Sequence, residues 1–281
     1  MKTIKINTKN TSAIIDLEDG MNVISLERNG IECIICDQER KKNGGTYAIP
    51  ILFPTPNRTK DNHFVYNGEE VATVMHGYSR HSEFTLLEQT ENSVTAKSDF
   101  KDSEYAHYNV SMTVKISLDN DTLRWDFDIQ NNDTKPFPYS IALHPFFIKS
   151  LFDSVKSDCQ EKMLTDDALI PTGKCVKLDE NESFLKPRDI NTIKLDTVFL
   201  SDKAIESTLI GKEFSLSIKG SDEFKHVVIY TSPEKPFICI EPQTGSTDFV
   251  NLDARGFKRE ANLLALKEGV SAHSFVEFKF V

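Results

Sequence analysis

Met112-Thr113-Val114-Lys115-Ile116-Ser117-Leu118, then Asp119-Asn120-Asp121, then Thr122-Leu123-Arg124-Trp125-Asp126-Phe127-Asp128-Ile129-Gln130: apolar and polar residues alternate on both sides of a turn signal. Met112, Val114, Ile116 and Leu118 fall on one face, with Thr113, Lys115 and Ser117 on the other. After the turn, Leu123, Trp125, Phe127 and Ile129 point one way and Arg124, Asp126, Asp128 and Gln130 the other. A period of two belongs to a strand, because successive side chains leave opposite sides of a pleated chain. The segment therefore predicts a hairpin inside an antiparallel sheet with one wet face.

The same pattern continues outward. Asn131-Asn132-Asp133 breaks the second strand, and Phe214, Leu216 and Ile218 alternate before Gly220-Ser221-Asp222. Lys225 to Tyr230 is a β-rich apolar run, and Val276, Phe278 and Phe280 close the chain as a strand. The 19 phenylalanines suit a core between packed sheets. Helical signals are short: Ala261 to Lys267, stopped by Gly269, and Glu161 to Ala168. No amphipathic run of about 12 residues separates strands, which excludes βαβ units. Asp153 to Asn191 reads as long loops with short strands. The expectation is an all-β chain with little helix, a single domain over residues 1–281.

Composition narrows the function. The 281 residues carry 43 acidic against 33 basic side chains, a formal charge of −10. That balance argues against nucleic acid, whose binding rests on Lys and Arg neutralising phosphates, and against an anionic membrane surface. The start of the chain alternates instead of carrying an apolar signal core, and no apolar run approaches the ~20 residues of a membrane-spanning helix. Five cysteines favour a reduced compartment, so the expected location is the cytoplasm. Cys33-Ile34-Ile35-Cys36 has no second pair and reads as apolar strand residues. No His/Cys cluster has metal-ligand spacing, and no glycine-rich nucleotide loop or Gly-x-Ser-x-Gly elbow is present. No cofactor and no metal are expected.

What remains is a set of polar residues at the edges of apolar stretches. Arg58 follows Ile51-Leu52-Phe53-Pro54-Thr55-Pro56-Asn57, and His76 opens His76-Gly77-Tyr78-Ser79-Arg80. His144 sits in Ile141-Ala142-Leu143-His144-Pro145-Phe146-Phe147. Glu241 follows Phe237-Ile238-Cys239-Ile240 and precedes Pro242-Gln243. Asp196 lies in Leu195-Asp196-Thr197-Val198-Phe199. An imidazole exchanges protons near neutrality. A carboxyl on an apolar strand can be desolvated into a usable base. An arginine stays charged and polarises oxygen. Each has a plainer reading. His144 alone is a hydrogen-bonded core histidine, Glu241 an ion pair with Arg58 or Arg80, Asp196 a turn cap, and His76 a loop residue. The proline after both His144 and Glu241 removes a ladder donor and favours a strand end at a rim. His63, His81, His107, His226 and His273 read as surface or scaffold.

Taken in order, Pro56-Asn57-Arg58, His76-Gly77-Tyr78-Ser79-Arg80, His144-Pro145-Phe146-Phe147, Asp196-Thr197-Val198-Phe199 and Glu241-Pro242-Gln243-Thr244 resemble the aldose 1-epimerase (galactose mutarotase-like) family. Asn251 is a further match at the tail, and Phe84 stands near where relatives often carry Trp. The resemblance implies a large antiparallel β-supersandwich with a small-molecule sugar in a cleft across one sheet. It implies Glu241 as general base, His144 as general acid, His76 and Arg58 as hydrogen-bonding groups, and Asp196 as a holder of the other hydroxyls. The implied activity is interconversion of the α and β anomers of a free hexose. A hexose-6-phosphate 1-epimerase, drawing cations from Lys60, Arg80 or His81, is the alternative substrate reading. A non-catalytic carbohydrate-binding β-sandwich is the alternative class.

Overall fold

The alternating stretch forms the paired strands Val110–Asp119 and Thr122–Asn131, with Leu118 opposite Leu123 and Asp119 opposite Thr122. Asn120 takes a positive φ of 51° in the turn, a conformation asparagine tolerates better than most residues. Leu123, Trp125 and Phe127 are fully buried, while the residues between them face outward. This computed structural model describes residues 2–101 and 107–281.

The hairpin sits in a nine-stranded antiparallel sheet, between Ser93–Phe100 on one side and the closing strand Ser271–Phe280 on the other. A second, eight-stranded sheet carries Glu161–Thr165, Leu195–Leu200, His226–Thr231, Phe237–Gln243 and Ala142–Leu143 as successive neighbours. Four strands near the start of the chain, from Thr3–Asn7 to Ile31–Glu32, form a smaller sheet. One continuous apolar cluster joins the layers. Phe147, paired beside the Phe237–Gln243 strand, meets Phe278 of the nine-stranded sheet at 5.6 Å, and Phe278 packs edge-on against Trp125 at 4.8 Å. The architecture is an all-β, antiparallel β-supersandwich.

Helix is scarce but lies elsewhere than the sequence suggests. Glu161 to Ala168, expected as a turn of helix, begins with the strand Glu161–Thr165, held between Pro171–Lys177 and Leu195–Leu200. Ala261 to Lys267 contributes only the last residue of the helix Lys258–Ala261, and Leu264–Leu266 pairs with Phe137–Tyr139. In both segments a ladder partner supplied by distant sequence outweighs local propensity. Two other short helices, Gln38–Lys42 and Phe249–Ala254, are too brief to leave a periodic signal.

Candidate active site

The strand Phe237–Gln243 is buried along its whole length. Ile238 and Ile240 face the main core. The alternate residues Phe237, Cys239, Glu241 and Gln243 face the other way, where Phe237 and Cys239 pack with Phe146, Ile35 and Tyr230 in a separate small cluster. The register of the three central strands places residues in rows. Asp196 lies opposite Tyr230 and Tyr230 opposite Cys239; one step along, Val198 lies opposite Val228 and Val228 opposite Glu241. Asp196, Tyr230, Val228 and Glu241 line a cleft of about 260 Å³, at the small end of ligand sites.

His144 enters the cleft from the neighbouring segment. Ala142 pairs with Gln243, and Phe147 and Ile148 pair with Ile238 and Phe237, so the ladder is interrupted between two paired stretches at His144-Pro145-Phe146. Proline cannot donate to a ladder, but the register is the same on both sides of the gap and sets His144 opposite Glu241. His144 Nε2 lies 3.4 Å from Glu241 Oε1. Phe146 stacks on the imidazole at 4.6 Å with the planes 9° apart, which fixes the ring. The carboxyl is held from its other side, where the Gln243 amide donates to Glu241 Oε2 at 3.4 Å and accepts from Asn57 Nδ2 at 3.3 Å.

A loop wall closes the cleft. The His76 backbone N–H donates to the Asn57 carbonyl, and the Asn57 N–H donates to His76 Nδ1 at 3.3 Å. Nδ1 is thereby an acceptor, so a neutral His76 carries its proton on Nε2 and offers a donor. His76 and Gly77 both take positive φ, 68° and 71°. A Cβ on Gly77 would sit 2.1 Å from the Phe53 carbonyl oxygen, so glycine is required where these two segments cross. The His76 and His144 rings meet edge-on at 5.6 Å.

Arg40, Arg58 and Arg80 line the same cleft. Arg40 comes from the helix Gln38–Lys42, capped by Asp37, and donates to the Thr46 carbonyl while lying 4.8 Å over the Phe146 ring. Arg80 donates to the Gly44 carbonyl at 2.8 Å. None of these arginines forms an ion pair among the described residues. Lys60 lines neighbouring depressions instead, and His81 pairs with Asp19, so neither belongs to this cleft.

Burial dominates the protonation of the pair. Desolvation, reinforced by the Asp196 charge, raises the Glu241 carboxyl well above the usual carboxylate range. Desolvation, with the charges of Arg40 and Arg80 behind it, holds His144 well below the ordinary histidine value. His76 is lowered to about 3 by burial and the nearby guanidinium groups. The 3.4 Å contact is ion-pair geometry, yet the surroundings favour a neutral acid beside a neutral imidazole.

The family model for aldose 1-epimerase matches residues 2–279. The chain belongs to the aldose 1-epimerase family. It is 27% identical over 242 residues to the plasmid-encoded protein LacX of Lactococcus lactis subsp. lactis, a match covering 78% of this chain and 80% of that protein. Among solved structures it is similar to a galactose mutarotase-like protein from Clostridium acetobutylicum, with TM-score 0.87, 19% identity and coverage of 99% of this chain and 95% of the other. A galactose mutarotase-like protein from Lactobacillus casei gives TM-score 0.81 at 18% identity over 100% of both chains. At these identities the structures establish the fold, and family membership supports a carbohydrate-epimerase role.

All five residues singled out in the sequence, Arg58, His76, His144, Asp196 and Glu241, line this one cleft of an aldose 1-epimerase fold. Two of the plainer readings are corrected, while His76 does lie in a loop. Glu241 pairs with His144 and with neither Arg58 nor Arg80, and Asp196 sits inside the Leu195–Leu200 strand instead of capping a turn. Asn251 lies outside the cleft, donating to Asp248 at 2.7 Å. Sequence reasoning missed Arg40, Tyr230 and Val228. Tyr230 and Val228 were within reach of a register argument, since they are strand neighbours of Cys239 and Glu241. Arg40 had no such signal, because a five-residue helix has no period to read.

Proposed function

We propose that this chain is an aldose 1-epimerase that interconverts the α and β anomers of a free hexose by acid–base ring opening and closure. The observation that carries the reading is the approach of His144 Nε2 to Glu241 Oε1 within 3.4 Å in a monosaccharide-sized cleft. A binding module has no need of an acid and a base side by side. Glu241 takes the proton from the anomeric hydroxyl, the C1–O1 bond gains double-bond character, the C1–O5 bond breaks, and His144 gives its proton to O5. Rotation about C1–C2 and reversal of the same transfers close the ring on the other face. Opening leaves Glu241 neutral and His144 neutral, which is the state that burial of both groups favours. The starting state has the same number of protons and differs only by one transfer within the pair, so the pair titrates as a unit. His76 Nε2–H and Arg58 donate to sugar oxygens as charge develops, and Asp196 accepts from the remaining hydroxyls.

A phosphorylated hexose is a second reading, favoured by Arg40 and Arg80 at the cleft wall without carboxylate partners among the described residues. Guanidinium groups match phosphate geometry. Polarimetry on freshly dissolved α-D-glucose, α-D-galactose and α-D-glucose 6-phosphate separates the two. Decay with free hexoses at least as fast as with the phosphate supports the first reading. A clear preference for the phosphate supports the second, and rates no faster than buffer with all three defeat both.

A further inference from the structure

Beside the His144–Glu241 pair, buried in the small cluster with Phe146 and Phe237, lies a thiol that the acid–base chemistry does not use. Cys239 projects from the same face of the same strand as Glu241, two residues away. Its sulfur, a His144 ring nitrogen and a Glu241 carboxylate oxygen all lie within 4.8 Å of one another. The spacing in sequence hides this, because Cys-x-Glu on a strand supplies two donors and the third arrives from 95 residues earlier in the chain. We propose that His144, Cys239 and Glu241 form a binding site for a thiophilic divalent cation of the Zn²⁺ or Cd²⁺ class, and that the occupied site is closed to sugar.

The donor set selects the ion. One thiolate, one imidazole and one carboxylate suit zinc and its heavier congener, and the sulfur excludes magnesium and calcium. Zinc bonds of about 2.0–2.3 Å place tetrahedral ligand atoms roughly 3.3–3.8 Å apart. The His144–Glu241 separation of 3.4 Å already fits, and the longest separation in the trio needs about 1 Å of side-chain adjustment to reach that range. Three protein ligands leave a fourth position, and two of the three, His144 and Glu241, line the cleft. Thiolate and carboxylate together offset the charge of the dication, so the buried site stays neutral overall. Arg40, Arg58 and Arg80 at the wall oppose a cation and Asp196 attracts one, so the direct donor set has to carry the binding. Both groups assigned to proton transfer become ligands, so closure to sugar rests on the mutarotase reading, whereas the metal site itself does not.

The test is calorimetric titration of the full chain, stripped with EDTA, with ZnCl₂, in the presence and absence of D-galactose. The expected result is one zinc per chain, weakened by sugar. Cys239→Ala, checked for folding by circular dichroism, lowers affinity by more than the ~10–100-fold that loss of an outer-shell group produces. Should that variant not fold, Cys239→Ser and the sugar sensitivity of the cadmium–thiolate absorption of the unmodified chain give the same answer. Unchanged zinc binding in a folded Cys239 variant overturns the site and moves the ion elsewhere, for example to exposed His273 with Asp126 and Asp128. Absence of zinc binding to the unmodified chain also overturns it. Zinc binding that needs Cys239 but ignores sugar upholds the site and counts against its closure to sugar.

Discussion

Two strands of this molecule invite comparison. Thr122–Asn131 alternates buried and outward residues, and its outward side carries Arg124 between Asp126 and Glu277. Phe237–Gln243 is buried at every position, and its second face carries a thiol, a carboxyl and an amide. The first strand satisfies the ordinary rule that apolar goes in and polar goes out. The second keeps an ionisable group where burial raises its pKa, a state that costs stability. Packing accounts for the first strand. The second makes sense only if the cleft above it has work to do.

The sharpest way to break this comparison is Glu241→Gln, which keeps shape and removes the ionisable oxygen. Loss of acid–base help lowers mutarotation by about 10²–10⁴-fold, the upper end corresponding to roughly 5.5 kcal/mol of barrier. The folded-state pKa of Glu241 lies above its unfolded value, so its contribution to stability is present at low pH and lost as pH rises past the unfolded carboxylate range. The variant escapes that loss. It is expected to be no less stable than the unmodified chain at pH 7, read by denaturant unfolding beside polarimetry. A variant that loses stability while keeping activity would reverse the roles assigned to the two strands.

Trp125→Ala tests the other strand. Truncating a fully buried tryptophan packed on Phe278 costs about 3–5 kcal/mol of unfolding free energy. The fraction that stays folded should turn over sugar at the normal rate, measured below the midpoint of its unfolding curve.

Proton linkage is a test of burial in the second strand and its surroundings. His76, His144 and His226 have folded pKa values below the free histidine value, His76 at about 3 and His226 at about 4. As pH falls from about 6.5 the unfolded chain takes up protons that these rings refuse, and each contributes up to roughly 1.4 kcal/mol per pH unit. Glu241 acts in the opposite sense, but three imidazoles outweigh one carboxyl. Unfolding free energy should therefore decline between about pH 6.5 and 4. A flat profile in urea melts over that interval would contradict the assigned burial.

The smallest effect belongs to Arg124→Ala. The side chain bridges Asp126 and Glu277 at 2.7 and 2.6 Å on a half-exposed face, where such pairs contribute about 0.2–1 kcal/mol each. The loss should shrink further in high salt, followed by thermal unfolding at two ionic strengths.

Much of the scaffold was legible because its strands obey a single rule. The hairpin between Met112 and Gln130 could be read residue by residue, since each side chain faces either core or water. The cleft was legible in outline because a proline follows an ionisable residue in each of two apolar stretches; at Pro145 the ladder is interrupted, whereas at Pro242 the strand runs on, paired, to Gln243. Glu161–Thr165 was misread because its strand state depends on partners at Lys177 and Leu200 that local propensity does not encode. Arg40 was invisible because its five-residue helix has no period to read, and the Cys239–His144 approach was invisible for the same reason as Glu161–Thr165. That approach arises from register between segments far apart in the chain, and no motif spacing records that register.

The cleft is built of two materials. Glu241 rides on a paired strand with His144 beside it, whereas the guanidinium groups stand on a short helix and on loops around Asn57 and Ser79. Loops tolerate replacement more readily than ladders. A descendant of this protein could therefore change its appetite, from neutral to charged sugars or back, by editing its rim while leaving its reactive machinery untouched.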